Sequence, residues 1–205
     1  MIIAVDAGSP GTVEAEHLCH ELLGLLPDAE IACTHWVPAT PTDHLSDDVL
    51  PAHVAVSITL PEATKATVRR LRHRADEEDL GLVISWPGTT AAGATTTLGP
   101  AQLVAGARLA SAEGSPRTAG RLFRFPGQSA ARGRLTARDL RDRAGIDVIE
   151  GIGGTPVHDD SVIDTMNFIR PIWRSAQSVL LVQPAANDVL VPFELEHQQK
   201  CCSNH

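Results

Sequence analysis

Strand-like and helical segments alternate along almost the whole chain. This predicts an α/β fold: a three-layer, mostly parallel sheet with helices on both faces, Rossmann-like but without the dinucleotide signature. Two further observations support it. The apolar residues, 43% of the chain, are nearly all aliphatic, with four Phe, three Trp and no Tyr, the composition of buried strands and the helices that cover them. At 205 residues the chain is long enough to bury about 70% of its unfolded surface around one core. The expected organisation is a single domain over 1–184 and a polar tail over 185–205.

In chain order, Ile2 to Val5 is an apolar run closed by Asp6, and a glycine turn leads to Thr12. Val13, Leu18, Leu22, Leu25 and Leu26 then recur at helical spacing. Ala29 to Val37 reads as a second strand, Pro38 to Pro51 as a loop, and His53 to Leu60 as a third strand. Pro61 opens a helix reaching about Asp79. Gly81 to Trp86 is a fourth strand, followed by the hydroxyl-rich loop from Pro87 to Thr97 and a small-residue helix from Pro100 to Ala112. Arg121 to Phe125 has strand character. Thr136 and Asp139 stand as a capping box for a helix through Ala144. Beyond them the sequence predicts a strand at Asp147 to Glu150, a helix from about Asp159 to Ser175, and a last strand at Ser178 to Gln183.

Ligands of parallel α/β sheets sit beyond the carboxyl ends of the strands. That rule gathers the loops after Asp6, Trp86 and Glu150 at one edge. His158, Asp160 and Asp164 are candidate catalytic residues there, with Asp6 completing the set. Carboxylates beside an imidazole can bind a cation or divide acid and base roles, because crowded like charges raise one carboxyl pKa. Gly8, Ser9, Thr89 and Thr90 are candidate donors to substrate oxygens. The competing account of the acids is helix capping.

The first loop, Asp6-Ala-Gly-Ser-Pro-Gly-Thr12, resembles the phosphate-binding motif of the apyrase family, which reads Asp-Ala-Gly-Ser, a small residue, then Gly-Thr. The likeness covers seven residues. In that family the motif turns a β-hairpin of a much longer two-lobed chain, whereas here a helix is expected next, and the activity is not carried over.

Other signatures are absent. No G-x-x-x-x-G-K-[ST] occurs, and Pro156 stands where a third dinucleotide glycine would follow Gly151 and Gly153. Neither Lys65 nor Lys200 lies at the expected ligand edge, so no PLP cofactor is expected, and the failed dinucleotide pattern removes a nicotinamide. Gly127, Ser129 and Ala131 approximate a nucleophile elbow, with Asp147 and His158 following in hydrolase order.

Cys201, Cys202 and His205 form a second constellation, soft ligands for a metal at the end of the tail. Cys33 and His35 share a strand face and read as buried structural residues.

The net charge of −8 argues against nucleic-acid affinity. From Arg117 to Arg143, however, eight arginines face two aspartates, a surplus of six that leaves −14 for the rest. Such a block is a solvated face, a subunit contact or an anion site. No apolar run is long enough to cross a bilayer, and no basic leader precedes Ile2, so a cytoplasmic location without membrane contact is expected.

The leading functional expectation is an enzyme hydrolysing a small polar substrate, with a divalent metal, zinc or magnesium, as candidate cofactor and a homo-oligomer as candidate assembly. The alternative is a non-catalytic ligand- or metal-binding subunit assembling through its Arg-rich segment.

Overall fold

The structure is a computed structural model and describes residues 1–39, 50–86 and 94–196. It contains twelve strands and four helices among those residues. They divide into two compact units, Met1–Phe125 and Pro126–His205.

The first unit runs β1 (Ile2–Ser9), α1 (Thr12–Leu25), β2 (Ile31–Val37), β3 (His53–Thr59), α2 (Lys65–Glu77), β4 (Gly81–Ser85), β5 (Thr95–Leu98), α3 (Ala101–Gly114) and β6 (Arg121–Arg124). Its strands are ordered β5-β4-β1-β3-β2-β6, and every neighbouring pair is antiparallel. This overturns the expectation of a three-layer, mostly parallel, Rossmann-like sheet. The reason is β3. It pairs antiparallel with β2, from Ile31 opposite Thr59 to Val37 opposite His53. β3 then inserts between β1 and β2, and the crossover through α1 joins strands that are not neighbours. The core β1-α1-β2-β3-α2-β4, in order β4-β1-β3-β2, is the split β-α-β arrangement of ferredoxin-like folds.

Alternation along each strand builds two unlike faces. On one, Ile3, Val5, Val56, Ile58 and Ile84 pack against Leu18, Cys19 and Leu22 of α1 and Leu71 and Ala75 of α2. Burying one such aliphatic side chain contributes about 1.5–3 kcal/mol, so this face carries most of the unit's hydrophobic stabilisation. On the other, Ala4, Ala55 and Val83 meet Ala107 and Ala110 of α3. The inner surface of α3 is made of small residues, Gly106, Ala107, Ala110, Ser111 and Gly114, which lets the helix lie close to the sheet.

The second unit contains β7 (Arg134–Thr136), α4 (Ala137–Ala144), β8 (Val148–Gly151), β9 (Val162–Asp164), β10 (Ile172–Arg174), β11 (Gln177–Pro184) and β12 (Leu190–Pro192). The long β11 is its spine. β8 runs parallel along one side of it, and β10 and β12 pair antiparallel on the other. β9 joins β12 in parallel and β7 antiparallel. Thr136 caps α4, its hydroxyl oxygen accepting from the Asp139 N–H at 3.1 Å. Residues 159–175 do not form the expected helix. His158 and Ser161 close a turn (His158 N–H to Ser161 Oγ, 2.9 Å), and β9 and β10 follow. Among the described residues no helix is long and apolar enough to cross a membrane.

Candidate active site

The residues expected to form one site are divided between the units. Asp6 lies on β1 of the first, whereas His158, Asp160 and Asp164 belong to the second. Within the second unit His158 and Asp160 are exposed. Asp164 ends β9 and is held by Arg134 at 3.0 Å, which keeps its carboxyl below the ordinary value, together with the Met166 N–H. Asp147, the third member of the elbow reading, accepts instead from Ser178, and Ser129 sits in a three-residue 3-10 turn. Gly8 and Ser9 are part of β1. The Gly8 N–H is committed to Asp6, and Ser9 is buried opposite Val54. Thr89 and Thr90 lie outside the described residues, as do Cys201, Cys202 and His205. Among the described residues no group of three or more His, Cys, Asp or Glu side chains is placed to hold a metal ion. Much of the Arg-rich block is neutralised locally: Arg121 pairs with Glu16, Arg134 with Asp164, Arg138 and Arg141 with Asp159, and Arg143 with Asp139.

The concentrated polar chemistry lies beneath α3. Two sets of groups are sealed there, and the sequence reading connected neither. In the first, His53 Nε2 is 2.8 Å from Asp6 Oδ2, and His53 Nδ1 is 2.8 Å from the Pro51 carbonyl. A register shift between Val5 and Ser9 in β1 turns the chain so that the Gly8 N–H donates to Asp6 Oδ1 at 2.8 Å. Asp6 is 0% exposed. A carbonyl only accepts, so Nδ1 of His53 carries a hydrogen. A second hydrogen is then required between Nε2 and Oδ2, because an unprotonated nitrogen and an ionised carboxylate cannot bond each other. Asp6 and His53 therefore share one proton. Burial, the dominant influence, pushes the Asp6 carboxyl above its ordinary value, against the opposing pull of the Gly8 N–H and His53. Gly106 of α3 makes room for the pair. A Cβ at this position would stand 1.8 Å from Asp6 Oδ2 and 2.9 Å from its Cγ, so any larger residue displaces the helix or the carboxyl.

The second set is a relay. Ser57 of β3 sits opposite Cys33 of β2, and His35 lies two residues further along the same face, a diagonal neighbour within reach of an imidazole. His35 Nε2 is 2.7 Å from Ser57 Oγ, and His35 Nδ1 is 2.9 Å from Glu113 Oε2, supplied by the last turn of α3. An ionised Glu113 only accepts, which fixes the hydrogen on Nδ1 and leaves the Nε2 lone pair facing the Ser57 hydroxyl. This is the tautomer and order of a nucleophile, general base and orienting carboxylate. Gly114 lies over the hydroxyl. A Cβ there would be 2.5 Å from Ser57 Oγ and 3.1 Å from Ile2 Cδ1.

Gly114 also lines a cavity of about 220 Å³, together with Ile2, Thr59, Ser85, Trp86 and Arg117. Arg117 belongs to the closure of α3. The Thr118 N–H reaches Glu113 O at 3.0 Å and the Arg117 N–H reaches Gly114 O at 3.3 Å, the paired bonds of a Schellman-type helix end. Arg117 holds the left-handed position of that motif, at φ 58°, where glycine normally sits and other residues pay roughly 1–2 kcal/mol.

The sequence did hold one signal for this site. β3 is buried on both faces, yet His53, Ala55 and Ser57 alternate onto the side that also receives His35 from β2. Buried polar residues repeating at a spacing of two on paired strands require partners.

No family model, no curated protein and no solved structure matches this chain.

Proposed function

We propose that the first unit is a metal-independent hydrolase of small acyl compounds, with Ser57 as nucleophile, His35 as general base and Glu113 as the carboxylate that orients the imidazole. The observation behind this reading is the unbroken file of bonded atoms from Ser57 Oγ to Glu113, with Gly114, which lines a cavity, packed against its Ser57 end. In the proposed reaction Ser57 Oγ bonds to the substrate acyl carbon and gives its proton to His35 Nε2. The acyl bond to the leaving group breaks as that group takes the proton from His35. Water, deprotonated by the same nitrogen, then releases the acid and restores Ser57.

This keeps hydrolysis of a small substrate from the sequence reading but moves the chemistry from His158, Asp160 and Asp164 to the relay. The test is turnover of p-nitrophenyl acetate together with mass spectrometry after treatment with phenylmethylsulfonyl fluoride. A single adduct on Ser57, and loss of at least a hundredfold in kcat in Ser57→Ala with an unchanged unfolding midpoint, support the reading. Turnover that survives in Ser57→Ala refutes it.

A second reading has its own observation. Ser57 is 2% exposed, and a hydroxyl so enclosed also serves simply to fasten α3 to the sheet. That role predicts no adduct and a lowered unfolding midpoint in Ser57→Ala.

A further inference from the structure

We infer that the cavity beside Ser57 selects small substrates bearing a carboxylate, and that Arg117 receives it. The inference rests on the hydrolytic reading for its chemistry, but its binding component can be measured separately. Arg117 is the one charged side chain among the described residues that line the cavity. Around it the lining is divided between the hydroxyls of Thr59, Ser85 and Ser115 and the side chains of Met1, Ile2 and Trp86, together with Gly114. At about 220 Å³ the cavity has room for a small acid.

The position of Arg117 adds a second argument. A glycine would end α3 without conformational strain, and this chain instead holds a guanidinium at a left-handed residue. A guanidinium presents a planar fork of donors that matches a carboxylate, more selectively than a lysine ammonium. Gly114 links Ser57 and Arg117: it lies against the Ser57 hydroxyl and lines the same cavity as Arg117. A substrate with its carboxylate at Arg117 would thus lie in the cavity lined by Gly114, the residue against the Ser57 hydroxyl. The competing role for Arg117 is local: a cation near a helix C-terminus interacts favourably with the exposed carbonyls, and that role needs no ligand.

The experiment compares two esters with one leaving group, the neutral p-nitrophenyl butyrate and the anionic mono-p-nitrophenyl glutarate, in wild type and Arg117→Gly. Calorimetric titration with glutarate accompanies it. Arg117→Gly suits the left-handed position, and an unfolding midpoint at or above that of wild type establishes that the variant is folded. The expected results are a kcat/KM favouring the anionic ester by about tenfold or more, a preference ratio that falls by a similar factor in the variant, and glutarate binding weakened to the same degree. Turnover of both esters with no anionic preference, and none lost in the variant, overturns the inference and leaves the hydrolytic reading standing. Glutarate binding that depends on Arg117 without turnover of either ester overturns hydrolysis and keeps the carboxylate site. Neither binding nor turnover overturns both.

Discussion

Replacing Asp6 tests the shared proton and the packing around it at once. Asp6→Ala leaves the Gly8 N–H and His53 Nε2 buried without partners, since each is bonded to the lost carboxyl at 2.8 Å. An unsatisfied buried group costs about 1–3 kcal/mol, so the two together cost about 2–6 kcal/mol. Asp6→Asn is different. Its amide oxygen can accept from Gly8 while its NH₂ donates to a neutral Nε2, so the geometry is kept with every group satisfied. This variant is expected within about 1 kcal/mol of wild type near neutral pH.

The two also differ in pH response. Because burial holds the Asp6 carboxyl above its ordinary value, the folded chain binds more protons there than the unfolded chain does once that value is passed. Stability from this group is therefore full below the ordinary value of 3.8 and is lost as pH rises through the folded value. Asparagine has no such dependence. Urea unfolding of the three proteins at several pH values from 5 to 9 reads the result: wild type should weaken relative to Asp6→Asn as pH rises. An Asn variant as unstable as the Ala variant, or a wild-type-minus-Asn difference that is flat with pH, would refute the shared proton.

Two further outcomes follow from the same geometry. Gly106→Ala places a methyl 1.8 Å from Asp6 Oδ2 and should cost about 3 kcal/mol in chemical denaturation, whereas a neutral effect would mean that α3 lies farther from the sheet. Thr136→Ala removes the cap of α4 and should cost about 1 kcal/mol. In the same variant the Asp139 carboxyl, held low first by the Thr136 hydroxyl, should titrate closer to its ordinary value by NMR, and an unmoved titration would assign the depression to Arg143 instead.

The elements easiest to read in the sequence were those specified locally. The Thr136 and Asp139 capping box led into α4 as expected, and the small-residue run after Pro100 became α3. The pairing direction of the strands was not legible, because alternating strands and helices fit both a parallel sheet and a split β-α-β core. The clue to antiparallel pairing was in the sequence itself, where Pro38 to Pro51 reads as a loop and not as a crossover helix. The helix expected over 159–175 fails where the backbone turns left-handed: Met166, Asn167, Ser175 and Ala176 all have positive φ, which a right-handed helix cannot hold. The candidate site was hidden for a different reason. Asp6, His35, His53, Ser57 and Glu113 are far apart in sequence, and only β3 inserting next to β1 and β2 makes them neighbours. The sequence marks Asp6 as the end of an apolar strand at a loop edge, and gives no sign of the buried imidazole it meets.

The unequal faces of the first unit's sheet have a thermal consequence. Hydrophobic attraction fades as water cools, while bonds between imidazoles, carboxyls and hydroxyls depend on it far less. The side covered by α1 and α2 is cemented by leucine and isoleucine, whereas α3 meets the sheet through alanines and is tied to it by the Glu113–His35 bond. Chilling should accordingly slacken the leucine- and isoleucine-rich layer first, with the Glu113–His35 tie holding α3 in place longer than α1 or α2.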